Sequence, residues 1–117
     1  MKQDGRRVAK FERQVHELVA QYFIRGFKTP HDGLITVSKV LMPGDLRSAK
    51  IYLSVFGENI NRKDLLEKIQ SRAFEFQKHI GVELKARYCP KLTFFWDESI
   101  DKVLKVEKTL EELLKKQ

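Results

Sequence analysis

The sequence predicts an α+β domain with the element order α-β-β-α-β-α. Apolar residues recur every three or four positions in three separate stretches, which is the spacing of amphipathic helices. Between them lie three stretches rich in β-branched and aromatic residues, which is typical of strands. Glycine, proline and aspartate mark the boundaries, where they favour turns. We therefore expect a single domain over residues 1–117, in which a three-stranded sheet carries the helices on one face.

The first helix is predicted over residues 6–25, ending near Gly26. Its first two turns carry four cations, although the N-terminus of a helix already bears partial positive charge. These side chains should weaken the helix, so a role other than local stability or a chance surface arrangement must account for them. The four residues are Arg6, Arg7, Lys10 and Arg13.

A β-hairpin follows. Residues 34–42 are rich in β-branched side chains, and residues 49–56 alternate Ile51, Leu53 and Val55 with Lys50, Tyr52 and Ser54. The Pro-Gly-Asp sequence at 43–45 supplies the turn between these two strands.

The second helical stretch is predicted to run from a cap at Asn61 to a terminal glycine at Gly81. Its pattern permits a break but does not require one. The apolar residues with helical spacing are Leu65, Leu66, Ile69, Ala73, Phe76 and Ile80.

A third strand is predicted over residues 82–96, and a final helix begins after it. Pro90 lacks an N–H group, so it requires a bulge or an edge position. Asp97 or Ser99 is suited to cap the last helix, where negative charge is favourable. Cys89 is the one cysteine of the chain and is expected to pack rather than react. Tyr52 and Trp96 are likewise expected to pack in a half-buried sheet rather than stack on bases.

The formal net charge of +7 is unevenly distributed. Residues 1–28 carry seven Lys or Arg against three Asp or Glu, and residues 61–97 carry eight against five. A basic protein with its charge in blocks favours a polyanionic partner, although a solvated surface is the simpler interpretation. No apolar run reaches the length of a membrane span, and the first residues do not resemble a secretory signal, so a cytoplasmic location is expected.

Catalytic and cofactor motifs are missing from the sequence. It contains no phosphate-binding glycine loop, no nucleophile elbow and no Cys/His spacing typical of zinc. We therefore expect no enzyme activity, no catalytic or metal site and no cofactor. The α-β-β-α-β order with basic helices is similar to that of KH-type RNA-binding domains, but no two glycines have the spacing of their G-x-x-G loop.

Three segments resemble bacterial ribosome-binding factor A. The segment ITVSKVLMPGDLRSAKIYLSV resembles the T-V-x-x-V…D-L…A-x-V-Y-V-S pattern of that family, through Thr36, Val37, Val40, Asp45, Leu46, Ala49, Ile51, Tyr52 and Ser54. LKARYCPKLTFFWDES resembles its L-x-R-x-x-P-x-L-x-F-x-x-D-x-S segment, through Leu84, Arg87, Pro90, Leu92, Phe94, Asp97 and Ser99. GRRVAKFERQVHELV resembles its opening, anchored at Arg7 and Val8. The likeness extends over about residues 5–104, in the order of the family.

The resemblance implies a type II KH-like fold that lacks the G-x-x-G loop. It also implies a non-enzymatic assembly factor that binds the free or immature small (30S) ribosomal subunit, contacts 16S rRNA and assists late maturation and 16S rRNA processing, with a link to growth in the cold. The family usually has an Ala-x-Gly kink in its second helix. The matching positions here are Arg72 and Phe74, or Ser71 and Ala73 if the match shifts by one residue.

Phosphate contact is the role we expect for the basic side chains, which would provide affinity with little sequence selectivity. A generic KH-like protein with another structured RNA as its target, or a protein-interaction module that uses the leucine-rich last helix, remains the alternative. We expect a monomer. The candidate RNA-binding residues are Arg6, Arg7, Lys10, Arg13, Arg72, Lys78, Lys85, Arg87 and Lys91.

Overall fold

The computed structural model describes residues 2–27, 33–84, 89–99 and 113–114. Within these ranges the fold has three helices and a three-stranded sheet, which confirms the α+β class. The elements are α1 (Lys2–Arg25), β1 (Leu34–Leu41), β2 (Ser48–Phe56), α2 (Arg62–Ser71), α3 (Ala73–Glu83) and β3 (Lys91–Trp96).

The sheet has the order β1-β2-β3. The predicted hairpin is present: β1 and β2 are antiparallel, and their register shifts between Val37 and Lys39. In the hairpin turn, Leu46 has a φ of 58° and donates its N–H to the carbonyl of Pro43 at 3.0 Å. The third strand is parallel to β2, so the chain must cross the sheet through α2 and α3 to reach it.

One face of the sheet forms the core. Alternate residues of β2 and β3 point into it, and α1 contributes Val15 and Val19, both fully buried. Phe76 of α3 lies at the centre, with its ring centroid 4.7 Å from that of Tyr22 and 5.1 Å from that of Phe94. The helices therefore pack on one face, as the sequence predicts, and the other face is left with exposed side chains.

The predicted second helix is two helices. Asn61 caps α2 as expected, because its side-chain oxygen accepts the N–H of Asp64 at 3.1 Å. The helix breaks at Arg72, whose φ of −106° and ψ of 18° leave the helical region. The break thus falls between Ser71 and Ala73, the shifted alternative of the family match. The sequence pattern permits this break but does not require it, and the structure shows that it is present.

The boundary between helix and third strand also differs from the prediction. Helix α3 continues through Gly81 to Glu83, and Leu84 caps it by donating its N–H to the carbonyl of Ile80 at 2.7 Å. Val82 and Glu83 are therefore helical, and the strand begins only at Lys91. Pro90 lies directly before the strand, where its missing N–H interrupts no ladder. Most of the predicted last helix lies outside the described residues; Leu113 and Leu114 are helical and exposed.

Candidate nucleic-acid interface

The first candidate surface is one side of α1. Arg6, Lys10 and Arg13 are exposed, and helical geometry places them within about 60° of one another around the axis. They lie opposite Val15 and Val19, the residues that anchor the helix in the core. The sequence pattern thus produces one continuous basic stripe, which we call the α1 basic stripe (Arg6, Lys10 and Arg13).

Arg7 lies to one side of this stripe. Its guanidinium carbon is 5.7 Å from the centre of the Phe11 ring, a cation–π contact on the way to the buried side of the helix. The helix begins at Lys2, four residues earlier than predicted. The dipole effect fades after the first turn, so the four cations cost the helix less than the sequence implies.

The middle of α1 is fixed to the end of β1. A side-chain oxygen of Glu12 accepts the backbone N–H of Met42 at 2.8 Å. Beside this contact a groove of about 480 Å³ runs between the helix and the strand. Its lining is of mixed charge, so the groove is a weaker attractor of phosphate than the α1 basic stripe. The lining residues are Glu12, Arg13, His16, Glu17, Ser38, Lys39 and Val40.

Arg72 is held by other parts of the protein. Its Nη2 donates to Glu75 Oε1 at 2.9 Å, its Nε also bonds Glu75, and its guanidinium carbon lies 4.3 Å from the centre of the Phe27 ring. Tyr22 donates its hydroxyl to the same carboxylate at 3.1 Å. The hydrogen bonds from Arg72 lower the pKa of Glu75, while burial is the main cause that raises the pKa of Tyr22. This cluster ties the end of α1 to the helix break.

The other predicted residues are dispersed. Lys78 is exposed on α3, and Lys91 is exposed at the start of β3, opposite Ser48. Lys85 and Arg87 lie outside the described residues. Among the candidates that the structure describes, only Arg6, Lys10 and Arg13 come together on one helix face.

Two exposed lysines of the sheet were missed as candidates. Lys39 and Lys50 lie on the face that the helices do not cover. The alternation of residues in β2 places Lys50 and Tyr52 on one side of the strand, and this pattern could have identified Lys50 as a candidate. The parallel pairing with β3, which adds Lys91 and Phe95 to that side, is a tertiary feature that alternation does not reveal.

Directly after β3, Asp97 is the centre of a hydrogen-bonded turn that leads to Ser99, which is helical. Ser38 donates its hydroxyl to Asp97, and Asp97 Oδ1 accepts the backbone N–H of Ser99 at 2.9 Å. These hydrogen bonds, led by that from Ser38, lower the pKa of Asp97 to about 2. Next to it, the indole Nε1 of Trp96 donates to the carbonyl of Arg62 at 2.8 Å, in agreement with a packing role.

Cys89 and the possible metal ligands in the described part of the chain are dispersed. Cys89 is exposed rather than packed in the core, and its thiol donates to the carbonyl of Gln77 at 3.2 Å. Within the described ranges, no three His, Cys, Asp or Glu side chains come together as a metal site would require. None of the helices in the described part of the chain is long and apolar enough to cross a membrane.

Comparison with known proteins gives a consistent result. The family model for ribosome-binding factor A matches residues 7–110. Ribosome-binding factor A of Bdellovibrio bacteriovorus is 56% identical over 110 residues, covering 94% of this chain and 82% of that protein. The crystal structure of the Thermus thermophilus factor is similar with a TM-score of 0.68 and 21% identity, over 79% of this chain and 97% of that one.

A second structural match concerns a complex. It is a homology model of the Thermus thermophilus factor fitted into the cryo-EM map of a complex between 30S and ribosome-binding factor A. The TM-score is 0.62 at 19% identity, and the match covers 74% of this chain and 90% of that one. At this identity the match supports the fold of the chain.

Proposed function

The chain belongs to the ribosome-binding factor A family, and on this premise we propose that it binds the small (30S) ribosomal subunit as an assembly factor. The family is one of ribosome-binding factors and not a known enzyme family. The high identity to the Bdellovibrio relative, and the fit of the Thermus factor into a 30S complex, support this partner.

One observation carries the RNA contact, and it is the α1 basic stripe. Its three cations point away from the core on the side opposite Val15 and Val19, so packing does not explain them. Exposed cations in a continuous row attract the phosphates of a structured RNA without selecting a sequence. We assign the stripe to contact with 16S rRNA.

The other basic residues have different places in this proposal. Arg7, Lys78 and Lys91 are exposed and supply further phosphate contacts, and Lys85 and Arg87 complete the proposed set. Arg72 is less suited to phosphate because its guanidinium already bonds Glu75 and covers the Phe27 ring. We propose that Arg72 stabilises the helix break. To contact RNA, its guanidinium would have to leave Glu75 and Phe27.

The finer features of the function follow from family membership. We propose that the protein acts in the cytoplasm as a monomer of one domain over residues 1–117. There it assists late maturation of the small subunit and processing of 16S rRNA, and it supports growth in the cold. No cofactor enters this function.

A protein-interaction role is the second candidate. Leu113 and Leu114, both helical, are 56% and 69% exposed. Exposed leucines side by side favour a protein partner. This role need not exclude binding to the small subunit, which itself carries proteins on its surface.

Sedimentation with purified ribosomal subunits tests the proposal. The protein is expected in the fraction of the free small subunit, and an equal mass of transfer RNA should not displace it. Equal distribution between the two subunits, or displacement by transfer RNA, would show a generic RNA-binding protein instead. Binding that survives high salt and does not depend on the α1 basic stripe would favour contact with a ribosomal protein.

A further inference from the structure

Basic and aromatic side chains form rows on the face of the sheet that the helices do not cover. Its side chains form rows across the strands, because paired residues point to the same side. Lys39 pairs with Tyr52, and Tyr52 pairs with Phe95. In the next row Lys50 pairs with Thr93, and beyond it Ser48 pairs with Lys91. We call this part of the sheet the outer face (Lys39, Lys50, Tyr52, Lys91, Thr93 and Phe95).

The first row is a stack. The rings of Tyr52 and Phe95 are 5.4 Å apart with an interplanar angle of 25°. The ammonium of Lys39 lies 4.7 Å from the centre of the Tyr52 ring. Lys39 and Phe95 reach Tyr52 from the strands on either side of β2. The stack therefore ends at Phe95, on a strand that pairs on one side only among the described strands.

Phe95 is much more exposed than the aromatic residue before it on β3. Phe95 is 37% exposed, whereas its neighbour Phe94 points into the core and is 3% exposed. An exposed ring at the end of a stack offers a flat apolar surface to another planar group. Unpaired nucleic-acid bases are such groups, and proteins commonly bind single strands by stacking them on aromatic side chains.

The charge of the outer face matches the same ligand. The three strands contain Lys39, Lys50 and Lys91 and no Asp or Glu. Lys50 lies two residues from Tyr52 along one strand, about 7 Å away on the same side. Just after β3, Asp97 and Glu98 line a groove together with Lys39 and Tyr52, and Asp97 accepts hydrogen bonds from Ser38 and Ser99. The cations assigned to phosphate are therefore Lys50 and Lys91. Cations beside a stacking surface are suited to phosphates next to a stacked base.

We propose that the outer face binds a single-stranded segment of RNA, with a base stacked on Phe95 and the adjoining phosphates held by Lys50 and Lys91. This inference rests on the proposed function in taking RNA as the partner, and it adds a second surface that reads unpaired bases. Tyr52 contacts Lys39 and Phe95 and keeps the packing role expected for it. An apolar row at the far end of the sheet, Leu34 with Phe56, is the feature that a protein partner would use.

The test compares two phenylalanines of the same face. Phe95→Leu removes the stacking ring and keeps apolar bulk, and Phe56→Leu makes the same change in the apolar row. A fluorescent oligouridylate of about ten nucleotides is the probe, with an oligouridylate–oligoadenylate duplex of equal length for comparison. Phe95→Leu should weaken binding of the single strand about five- to a hundredfold, while Phe56→Leu leaves it unchanged. The double variant Lys50→Gln, Lys91→Gln should reduce the salt slope by about one to one and a half units.

Several outcomes would overturn this inference. Equal affinities of the two phenylalanine variants, or equal binding of single strand and duplex, would show that no base is stacked on Phe95. A fall in melting temperature for Phe95→Leu alone, in proportion to its loss of binding, would show that the ring serves packing. If Phe95→Leu weakens binding to the small subunit and the parent ignores the oligouridylate, the occupant is a protein.

The proposed function fails separately. A parent protein that sediments with the small subunit but ignores the oligouridylate leaves the proposed function standing and removes the outer-face site. If the parent protein binds the oligouridylate through Phe95 but does not sediment with the small subunit, the outer-face site stands and the proposed function fails.

Discussion

Gln70 of α2 binds the backbone of β3 through both ends of its side-chain amide. Its Oε1 accepts the N–H of Phe94 at 2.8 Å, and its Nε2 donates to the carbonyl of Leu92 at 3.2 Å. Gln77 of α3 continues the pattern by donating to the carbonyl of Pro90 at 3.2 Å. These bonds reproduce those that a further strand would make. The helices thus occupy the edge of the sheet at β3, which an additional strand would otherwise extend.

Replacing Gln70 should expose this edge. Gln70→Ala removes both hydrogen bonds and should lower the free energy of unfolding by about 1–2 kcal/mol, a loss that the better helix propensity of alanine offsets only slightly. Urea denaturation measures the change. Glu67→Ala, one turn earlier on the exposed side of the same helix, is the matched control and should change stability by no more than about 0.5 kcal/mol. Equal effects of the two substitutions would show that the amide does not support the strand.

The sequence could predict the elements whose pattern is local. Helix α1 and the β1–β2 hairpin are visible because their apolar periods match helix and strand geometry, and the turn residues lie between the two strands. The break at Arg72 is not visible, because apolar residues keep helical spacing across it, from Ile69 to Phe76. What holds the break is tertiary. Arg72 and Glu75 contact Phe27 and Tyr22, and Tyr22 is 53 residues away from Glu75 in sequence.

The site was predictable only in part. The α1 basic stripe is a helical pattern within a single element, so its three cations could be placed on one side from the sequence. The outer face combines residues of three strands, and their juxtaposition depends on the parallel pairing of β2 with β3. Residues 82–84 show a similar limit, since Val-Glu-Leu suits a strand or a helix end. In the structure α3 ends at Glu83, and Leu84, which caps it, is buried in the core.

Gly26 is expected to tolerate no side chain. A Cβ atom at this position would lie 2.5 Å from Cε1 of the Tyr22 ring. The ring cannot turn away without losing its contact with Phe76 and its hydrogen bond to Glu75. Gly26→Ala should therefore reduce the free energy of unfolding by about 1–3 kcal/mol, as measured by thermal or urea denaturation.

Gly44 provides the control for this substitution. A Cβ atom there has no neighbour within 4 Å, so Gly44→Ala should leave stability within about 0.5 kcal/mol of the parent. A Gly26→Ala protein as stable as the Gly44→Ala protein would mean that Tyr22 is free to move and that its cluster contributes little to the fold.

Asp97 should make stability depend on pH in the acid range. Its pKa is about 2 in the folded protein against an ordinary 3.8, so the carboxylate stabilises the fold above the ordinary value. That contribution is lost as the pH falls from about 4 towards 2 and the carboxylate takes up a proton. Asp97→Asn should lower the urea midpoint at neutral pH, and its difference from the parent should shrink on acidification to about pH 3.

Glu98→Gln is the control for the acid range. Glu98 is exposed and adjacent in sequence, so this change alters the net charge equally without touching the bonds to Ser38 and Ser99. A difference between parent and Asp97→Asn that stays constant from neutral pH to about pH 3 would contradict the assignment.

The α1 basic stripe should determine how salt affects binding to the small subunit. Arg6→Gln, Lys10→Gln and Arg13→Gln together remove three cations that make no core contact, so the melting temperature should stay within about 2–4 °C of the parent. If each cation neutralises a phosphate, affinity falls and the slope of log affinity against log salt decreases by about two to three units.

A charge-matched control removes three exposed cations elsewhere and lowers the net charge equally. It combines Arg25→Gln, Lys63→Gln and Lys68→Gln. Long-range attraction would weaken binding in both triple variants alike, whereas direct contact predicts the change in slope for the α1 variant alone. Identical slopes for the parent and the α1 variant would indicate that Lys78, Lys91 and their neighbours on the other elements contact the RNA instead.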